Sequence, residues 1–198
     1  MKPMKDLSDL VGSRICHDLI SPLGAIGNGL ELLTLTGGAH APEIALITDS
    51  VANANARIRF FRVAFGSASG EAMLGAVEVA SILEGVYGKA RTKVRWKIER
   101  DLRRTEVKLA FLLIQCLETA LPWGGRITVS RVDDRLLIAA EGDRLKVDAV
   151  LWECLGDPKR TADIAASDVQ FALAPLAALR IDRKIYTKVG TGGISVTV

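Results

Sequence analysis

The first third of the chain carries a helical pattern of hydrophobic positions. Apolar side chains recur at steps of three or four between residues 5 and 36, which predicts one long helix with one apolar face. The members of this face are Val11, Ile15, Leu19, Leu23, Ile26, Leu30 and Leu33. Gly37 and Gly38 would end the helix. Pro22 predicts a local kink inside it, because proline removes a backbone N–H.

A second helix is predicted at 43–67, where apolar positions alternate in steps of three and four over three heptads. These positions are Ile44, Ile47, Val51, Ala54, Ile58, Phe61 and Phe65. Two helices joined by a short connection form an antiparallel hairpin, but two helices alone cannot bury faces this apolar. We therefore expect a homodimer in which two hairpins form a four-helix bundle. Lysine in place of Ile47 or Phe61 should break this dimer.

The pattern changes after a stretch of small residues at 66–72. We place the domain boundary here, with a helical hairpin over 1–69 and a second domain over 70–198. Helices are predicted at 75–88, 106–121, 147–155 and 167–180, and strands at 92–99, 126–132, 135–141, 185–189 and 193–198. Helices and strands mix without βαβ regularity. The sequence therefore predicts an α+β protein whose second domain is an α/β two-layer sandwich.

Composition argues against a membrane-spanning, secreted or disulfide-rich protein. The chain is 49% hydrophobic but only 5% aromatic, which indicates a mainly aliphatic core. No apolar run approaches the roughly 18 residues that cross a bilayer, and the N-terminus lacks the apolar segment of a secretory signal. We expect a soluble, cytoplasmic protein. The three widely spaced cysteines form no CxxC pair, which predicts reduced, mostly buried thiols and neither a disulfide framework nor a zinc site.

His17 is the first candidate for chemistry. The positions that helical steps bring near it are polar or small: Ser13, Arg14, Ser21, Gly24 and Asn28. The imidazole should therefore face outward on a polar groove, where Arg14 offers a fork of donors suited to phosphate. Imidazole is largely neutral at pH 7 and can act as a nucleophile. A single histidine on a helix is nevertheless most often a solvated or packed residue.

Asp18 follows the histidine directly. Adjacent residues do not share a helix face, so helix geometry alone does not dictate a contact between the two side chains. If the carboxylate reaches the ring, it could hold the Nδ1–H and leave Nε2 free to attack.

The segment that begins at His17 resembles the phospho-acceptor box of two-component histidine kinases. That box reads His, Asp or Glu, Leu, two further residues, Pro and Leu, and the matching positions are His17, Asp18, Leu19, Pro22 and Leu23. One departure is Ile20, which stands where an arginine is common in the kinases.

The order of elements in the second domain resembles the ATP-binding domain of the same kinases, but its nucleotide boxes are degenerate. Gln115 and Thr119 stand where the asparagine box has two asparagines. The strand at 135–141 ends in Glu-Gly-Asp-Arg without the second glycine, and no glycine lies between Gly156 and Gly190. Without those glycines the backbone cannot cradle phosphates, so we do not expect ATP to bind.

The whole chain resembles the ChpT family of alphaproteobacterial histidine phosphotransferases, most specifically over residues 13–33. The resemblance implies that His17 takes a phosphoryl group from the receiver domain of a hybrid histidine kinase. It then passes the group to response regulators of the CtrA and CpdR type, without ATP-dependent autophosphorylation. It implies no resident cofactor, because Mg²⁺ would come from the receiver. The implied site is His17 as acceptor with Asp18 and Arg14 beside it, and Ser13, Ser21 and Asn28 as partner- or phosphate-binding residues.

Two other functions stay open. The chain could be a sensor-kinase core with a divergent ATP site, or a non-catalytic dimeric adaptor that binds receivers. A net charge of +3 is too small to indicate a nucleic-acid partner. The basic residues between 91 and 104 alternate with apolar ones, which favours a solvated strand face over a secondary contact for an acidic receiver. A nucleic-acid contact is the least favoured use of these residues.

Overall fold

The computed structural model describes residues 6–35, 41–68, 71–156 and 164–198. Two helices, α1 (Leu7–Leu35) and α2 (Ala41–Ala64), form the N-terminal part and pack along each other. They approach closely at Gly29, where an added Cβ would lie 2.6 Å from Cγ1 of Ile47. Pro22 lies inside α1 and is buried. Gly37 and Gly38, the predicted stop of the first helix, lie outside the described residues, as does His40.

The second part of the chain is built on a five-stranded sheet. Its strands are β2 (Thr92–Trp96), β4 (Gly125–Val132), β5 (Arg135–Glu141), β6 (Tyr186–Gly190) and β7 (Gly193–Thr197). Their order is β2-β4-β5-β7-β6, with β2 parallel to β4 and the other pairs antiparallel. Val129, Ile138 and Val196 lie opposite one another across the three central strands, and all are fully buried.

Helices cover one face of this sheet. They are α3 (Ala76–Tyr87), α4 (Arg104–Thr119), α5 (Ala149–Gly156) and α6 (Gln170–Leu179), with a 3₁₀ turn at Ala166–Asp168. Helix α4 lies at the centre, since every side chain from Leu109 to Ile114 is fully buried. The predicted α+β class, with an N-terminal hairpin followed by a sheet-and-helix domain, is confirmed.

Three features differ from the sequence expectations. A short antiparallel ribbon of β1 (Met73–Leu74) and β3 (Leu102–Arg103) was not predicted, because two-residue strands carry no readable alternation. The segment predicted as one helix at 167–180 starts with the 3₁₀ turn and continues as α6. Cys16 is exposed, whereas Cys116 and Cys154 are buried as expected.

The heptad seam of α2 divides into two sets. Ile44, Val51 and Ile58 are 45%, 42% and 52% exposed, whereas Phe61 is only 7% exposed. Phe61 packs on Phe65, with ring centroids 5.5 Å apart, and edge-on to Phe60. Lysine at Phe61 would therefore disrupt the chain's own core, so this substitution does not separate loss of the dimer from loss of the fold.

The hydrophobic core continues from α2 into the second part of the chain. Phe60 stacks on Phe111 of α4 with ring centroids 4.6 Å apart. Arg104 donates to the carbonyl of Arg62, and Lys108 Nζ donates to the carbonyl of Gly66 at 2.6 Å. These contacts hold the hairpin in a defined position against α4. The division of the chain at residue 69 stays a prediction.

Candidate functional site

His17 lies in the first half of α1 and presents its imidazole to solvent. Its side chain is 85% exposed. Ser13, Ser21 and Asn28 are also exposed. A Cβ added at Gly24 or Gly27 would meet no atom within 4 Å, so this face of α1 is open.

Asp18 reaches the ring of its neighbour. Its Oδ1 lies 3.2 Å from Nδ1 of His17, although the carboxylate itself is only 13% exposed. When the ring proton is on Nδ1, this contact is a hydrogen bond from imidazole to carboxylate. Nε2, the other ring nitrogen, then carries the lone pair.

Arg14 turns away from the open face of α1. Its Nε donates to Oδ2 of Asp18 at 2.8 Å, and its Nη1 donates to the main-chain carbonyl of Ser167 in the 3₁₀ turn. The side chain is only 17% exposed. The guanidinium therefore joins Asp18 to the second part of the chain, and two of its donor groups are already used.

Helical spacing around His17 missed three further residues near Asp18. Arg57 of α2 places Nη1 3.9 Å from Oδ2 of Asp18, and its Nε donates to Oδ1 of Asn53 at 3.0 Å. From the other side, the hydroxyl of Tyr87 donates to Oε2 of Glu118 at 3.0 Å. No local signal marks Arg57, Tyr87 or Glu118, because only the packing of α2 against α3 and α4 brings them here.

These groups line a polar cavity of about 160 Å³ next to Asp18. Its charged and polar lining consists of Arg14, Asp18, Arg57, Tyr87, Gln115 and Glu118. Burial raises the pKa of Glu118, and the hydrogen bond from Tyr87 and the charges of Arg14 and Arg57 only partly offset this effect. Burial also raises the pKa of Tyr87, with the nearby Glu118 charge adding to the shift. The cavity thus concentrates charge between the hairpin and the second part of the chain.

Of the two positions of the degenerate asparagine box, Gln115 is buried and Thr119 is half-buried. Gln115 is 3% exposed, and neither of its amide atoms has a hydrogen-bond partner among the described residues. The hydroxyl of Thr119 donates to the carbonyl of Cys116 at 2.7 Å. At Gly142, in the degenerate glycine box, an added Cβ would lie 2.7 Å from Leu121.

In the parts of the chain that the structure describes, no cluster of three or more His, Cys, Asp or Glu residues could hold a metal ion. No helix among the described residues combines the length and the apolar character that a membrane crossing requires.

Comparison with known proteins assigns the family. The family model described as "Histidine phosphotransferase C-terminal domain" matches residues 76–191. The chain is 36% identical over 171 residues to protein phosphotransferase ChpT of Brucella abortus (strain 2308), covering 83% of this chain and 81% of the relative. A solved bacterial phosphotransferase structure superposes with a TM-score of 0.80 at 32% identity, over 97% of this chain and 95% of the other. By these matches, the chain belongs to the histidine phosphotransferase family.

Proposed function

We propose that this protein relays a phosphoryl group between receiver-domain aspartates through Nε2 of His17. The donor is the receiver domain of a hybrid histidine kinase, and the acceptors are response regulators of the CtrA and CpdR type. The observation that carries the proposal is the exposed imidazole of His17, whose Nδ1 lies against Asp18. Family membership and the 36% identity to a ChpT protein support the reaction class.

The chemistry needs no net proton transfer. The Nε2 lone pair attacks the phosphorus of the aspartyl phosphate, an N–P bond forms, and the P–O bond to the aspartyl carboxylate breaks. The proton stays on Nδ1, where Asp18 can stabilise the positive charge that develops on the ring. The second transfer is the reverse step onto another aspartate, so net flux follows the phosphorylation states of the receivers.

Catalysis rests mainly on positioning. The phosphoryl group passes through a loose transition state, so alignment of donor and acceptor and neutralisation of charge supply most of the rate enhancement. We propose that Mg²⁺ is brought by the receiver's acidic pocket. Ser13, Ser21 and Asn28 share the open face of α1 with His17 and are proposed to contact the docked receiver.

We further propose that the protein is not an autokinase. Gln115 is buried, and the Thr119 hydroxyl is bonded to its own helix. Both observations argue against the metal and nucleotide contacts that the asparagine box makes in kinases. The proposed reaction takes place in the cytoplasm, where the receivers would be found.

The exposed apolar residues of the hairpin support the proposed homodimer. They occur on both helices and comprise Ile20, Leu23 and Leu30 of α1 with Ile44, Val51 and Ile58 of α2. Exposed apolar side chains on both helices of a pair favour association. A second hairpin would cover it in a four-helix bundle.

The test uses a phosphorylated receiver domain as the donor. We expect radiolabel to appear on this chain, to be labile in acid as a phosphoramidate is, and to be abolished by His17→Ala. Because the His17 side chain is exposed, His17→Ala should fold as the native protein does, which circular dichroism can check. Lack of transfer from every receiver offered would contradict the proposal.

Two control reactions separate the competing functions. Incubation with ATP and Mg²⁺ alone should leave the chain unlabelled, and labelling of His17 would identify an autokinase. If His17→Ala leaves phosphate flow between two receivers intact, the protein is an adaptor and not a phosphotransferase.

A further inference from the structure

A continuous line of contacts joins the acceptor histidine to the part of the chain that lacks the nucleotide boxes. The carbonyl of Ser167 accepts from Nη1 of Arg14, and Nε of Arg14 donates to Oδ2 of Asp18 at 2.8 Å. Oδ1 of Asp18 lies 3.2 Å from Nδ1 of His17. Arg14 thus links Asp18 of α1 directly to the 3₁₀ turn before α6.

The carboxylate of Asp18 is held from two directions. Arg14 contacts it from the same helix, one turn away, and Arg57 approaches the same oxygen from α2. Arg57 is itself fixed by its hydrogen bond to Asn53. With one oxygen engaged by two arginines, the other oxygen is turned toward the imidazole.

The second part of the chain also supplies the electrostatic environment of both arginines. Glu118 of α4 interacts electrostatically with Arg14, Arg57 and Asp18. Glu118 is fixed by the hydroxyl of Tyr87 at the end of α3. The arginines are therefore framed by α3, α4 and the 3₁₀ turn as well as by the hairpin.

We propose that the second domain acts as a positioning clamp on the acceptor: Arg14, anchored on the Ser167 carbonyl, holds Asp18 in the orientation that keeps the proton on Nδ1 of His17. Arg14 is then a positioning residue and not a phosphate ligand. The clamp rests on the proposed function, since its value lies in keeping Nε2 ready to attack. The clamp also assigns a role in phosphotransfer to the packing of the second domain, whose nucleotide boxes are degenerate, against the hairpin.

The exposure of Arg14 favours this role over direct phosphate binding. A guanidinium that received phosphate at His17 would have to present free N–H groups on the open face of α1. Arg14 is 17% exposed, its Nε donates to Asp18, and its Nη1 donates to the carbonyl of Ser167. The fork geometry suits a bridge between a carboxylate and a carbonyl, which a lysine could not span in the same way.

The test compares Arg14→Gln with Arg95→Gln, an exposed arginine on β2 that serves as the matched control. Nitrogen-15 NMR of the imidazole is recorded on the full chain without any receiver, in a His40→Gln background so that His17 gives the only histidine signals. We expect Nδ1–H to predominate in the parent protein and in Arg95→Gln. In Arg14→Gln the tautomer should shift toward Nε2–H, because Asp18 is released from its orientation.

Two further measurements test whether the tautomer of His17 depends on the second domain and whether it affects the rate of phosphotransfer. Amide hydrogen exchange at residues 164–173 should rise in Arg14→Gln and not in Arg95→Gln. Phosphotransfer from a phosphorylated receiver should fall by about tenfold to a hundredfold, the range expected for misplaced reacting groups, without a matching loss of receiver affinity.

The outcomes separate the clamp from its alternatives. If Arg14→Gln slows transfer but leaves the tautomer and the exchange unchanged, Arg14 contacts the phosphoryl group and the clamp is overturned. A changed tautomer with unchanged exchange at 164–173 would overturn the role of the second domain. If the parent protein accepts no phosphate at all, the proposed function fails, whereas the NMR and exchange results still decide the contacts of Arg14.

Discussion

Glu106 shows how one carboxylate can join two elements of the second domain. It lies in the first turn of α4, where Oε2 accepts from the backbone N–H and from Nε of Arg103, both at 3.3 Å. Its other oxygen accepts from Nη1 of Arg131 on β4 at 2.9 Å. Glu106 and Arg131 are each only 11% exposed, so solvent screens this pair weakly.

The pH dependence of stability should report this pair. Burial alone would raise the pKa of Glu106, but the hydrogen bonds from Arg131 and Arg103 outweigh burial, and the pKa lies below its usual value. A lowered pKa means that the ionised carboxylate stabilises the fold. That contribution is complete above the unfolded-state pKa, near 4.5, and is lost as the pH falls through the lower folded-state value.

We therefore expect Glu106→Gln to lower the free energy of unfolding by about 1 to 3 kcal/mol at pH 7. The difference from the parent protein should shrink below pH 4.5. Urea unfolding at a series of pH values measures both effects. Glu99→Gln, at an exposed glutamate, is the control and should change little. A cost for Glu106→Gln that is the same at all pH values would contradict the assignment.

The proposed acceptor site shows how far the contacts of single residues can be predicted from sequence. His17 and the residues on its open face follow from helical spacing. The contact of Asp18 with the ring does not, because it depends on the side-chain conformation of an adjacent residue. The contact between Arg14 and Ser167 joins positions 153 residues apart, and only the packing of the whole chain creates it.

At the scale of an element, the glycines of α1 differ in what surrounds them. Gly27 has open space where a Cβ would stand, whereas Gly29 is buried against Ile47 of α2. A glycine inside a helix costs about 1 kcal/mol relative to alanine, so these two positions should respond in opposite directions. Gly29 is retained where the helices touch, and Gly27 carries no such packing requirement in the single chain.

Gly27→Ala should raise the free energy of unfolding by about 0.5 to 1 kcal/mol. Gly29→Ala should lower it by about 1 to 3 kcal/mol, because Ile47 must move from its place. Urea melts of both variants at one protein concentration provide the comparison, and each variant serves as the other's control. Equal stabilisation by the two alanines would show that α1 and α2 are not in close contact at Gly29.

The elements that sequence patterns predict are the ones long enough to show a period. Both hairpin helices and four strands of the five-stranded sheet repeat their apolar positions, whereas β6 is exposed at every residue. The β1–β3 ribbon offers two residues a strand, too few for alternation to be read. The heptad pattern of α2 does not show that Phe61 is buried in the chain's own core whereas Ile58 stays exposed.

At the scale of the whole molecule, the exposed apolar positions of the α2 heptad pattern predict a homodimer. Ile58→Lys places a charge in the proposed four-helix bundle without disturbing the core of one chain, since Ile58 is 52% exposed. We expect light scattering coupled to size exclusion to give the mass of two chains for the parent protein and of one chain for Ile58→Lys. The lysine charge would have to leave water when the apolar interface forms, and this cost should weaken the dimer.

Val77→Lys is the control for this experiment. Val77 lies on α3 and is 85% exposed, so a lysine there adds the same charge outside the hairpin and should leave the dimer intact. A parent protein that elutes with the mass of one chain at all concentrations tested would contradict the dimer. Dissociation by both variants would show that charge alone, and not the seam, controls assembly.

The exposed thiol of Cys16, next to the proposed acceptor His17, has a practical consequence. The other two cysteines are buried, so a maleimide dye applied to the native protein should attach at a single position without any engineered cysteine. A fluorophore there would stand one residue from His17, which a docked receiver is proposed to approach. The natural sequence thus carries its own attachment point for an optical titration of docking, in which binding can be followed separately from phosphate transfer.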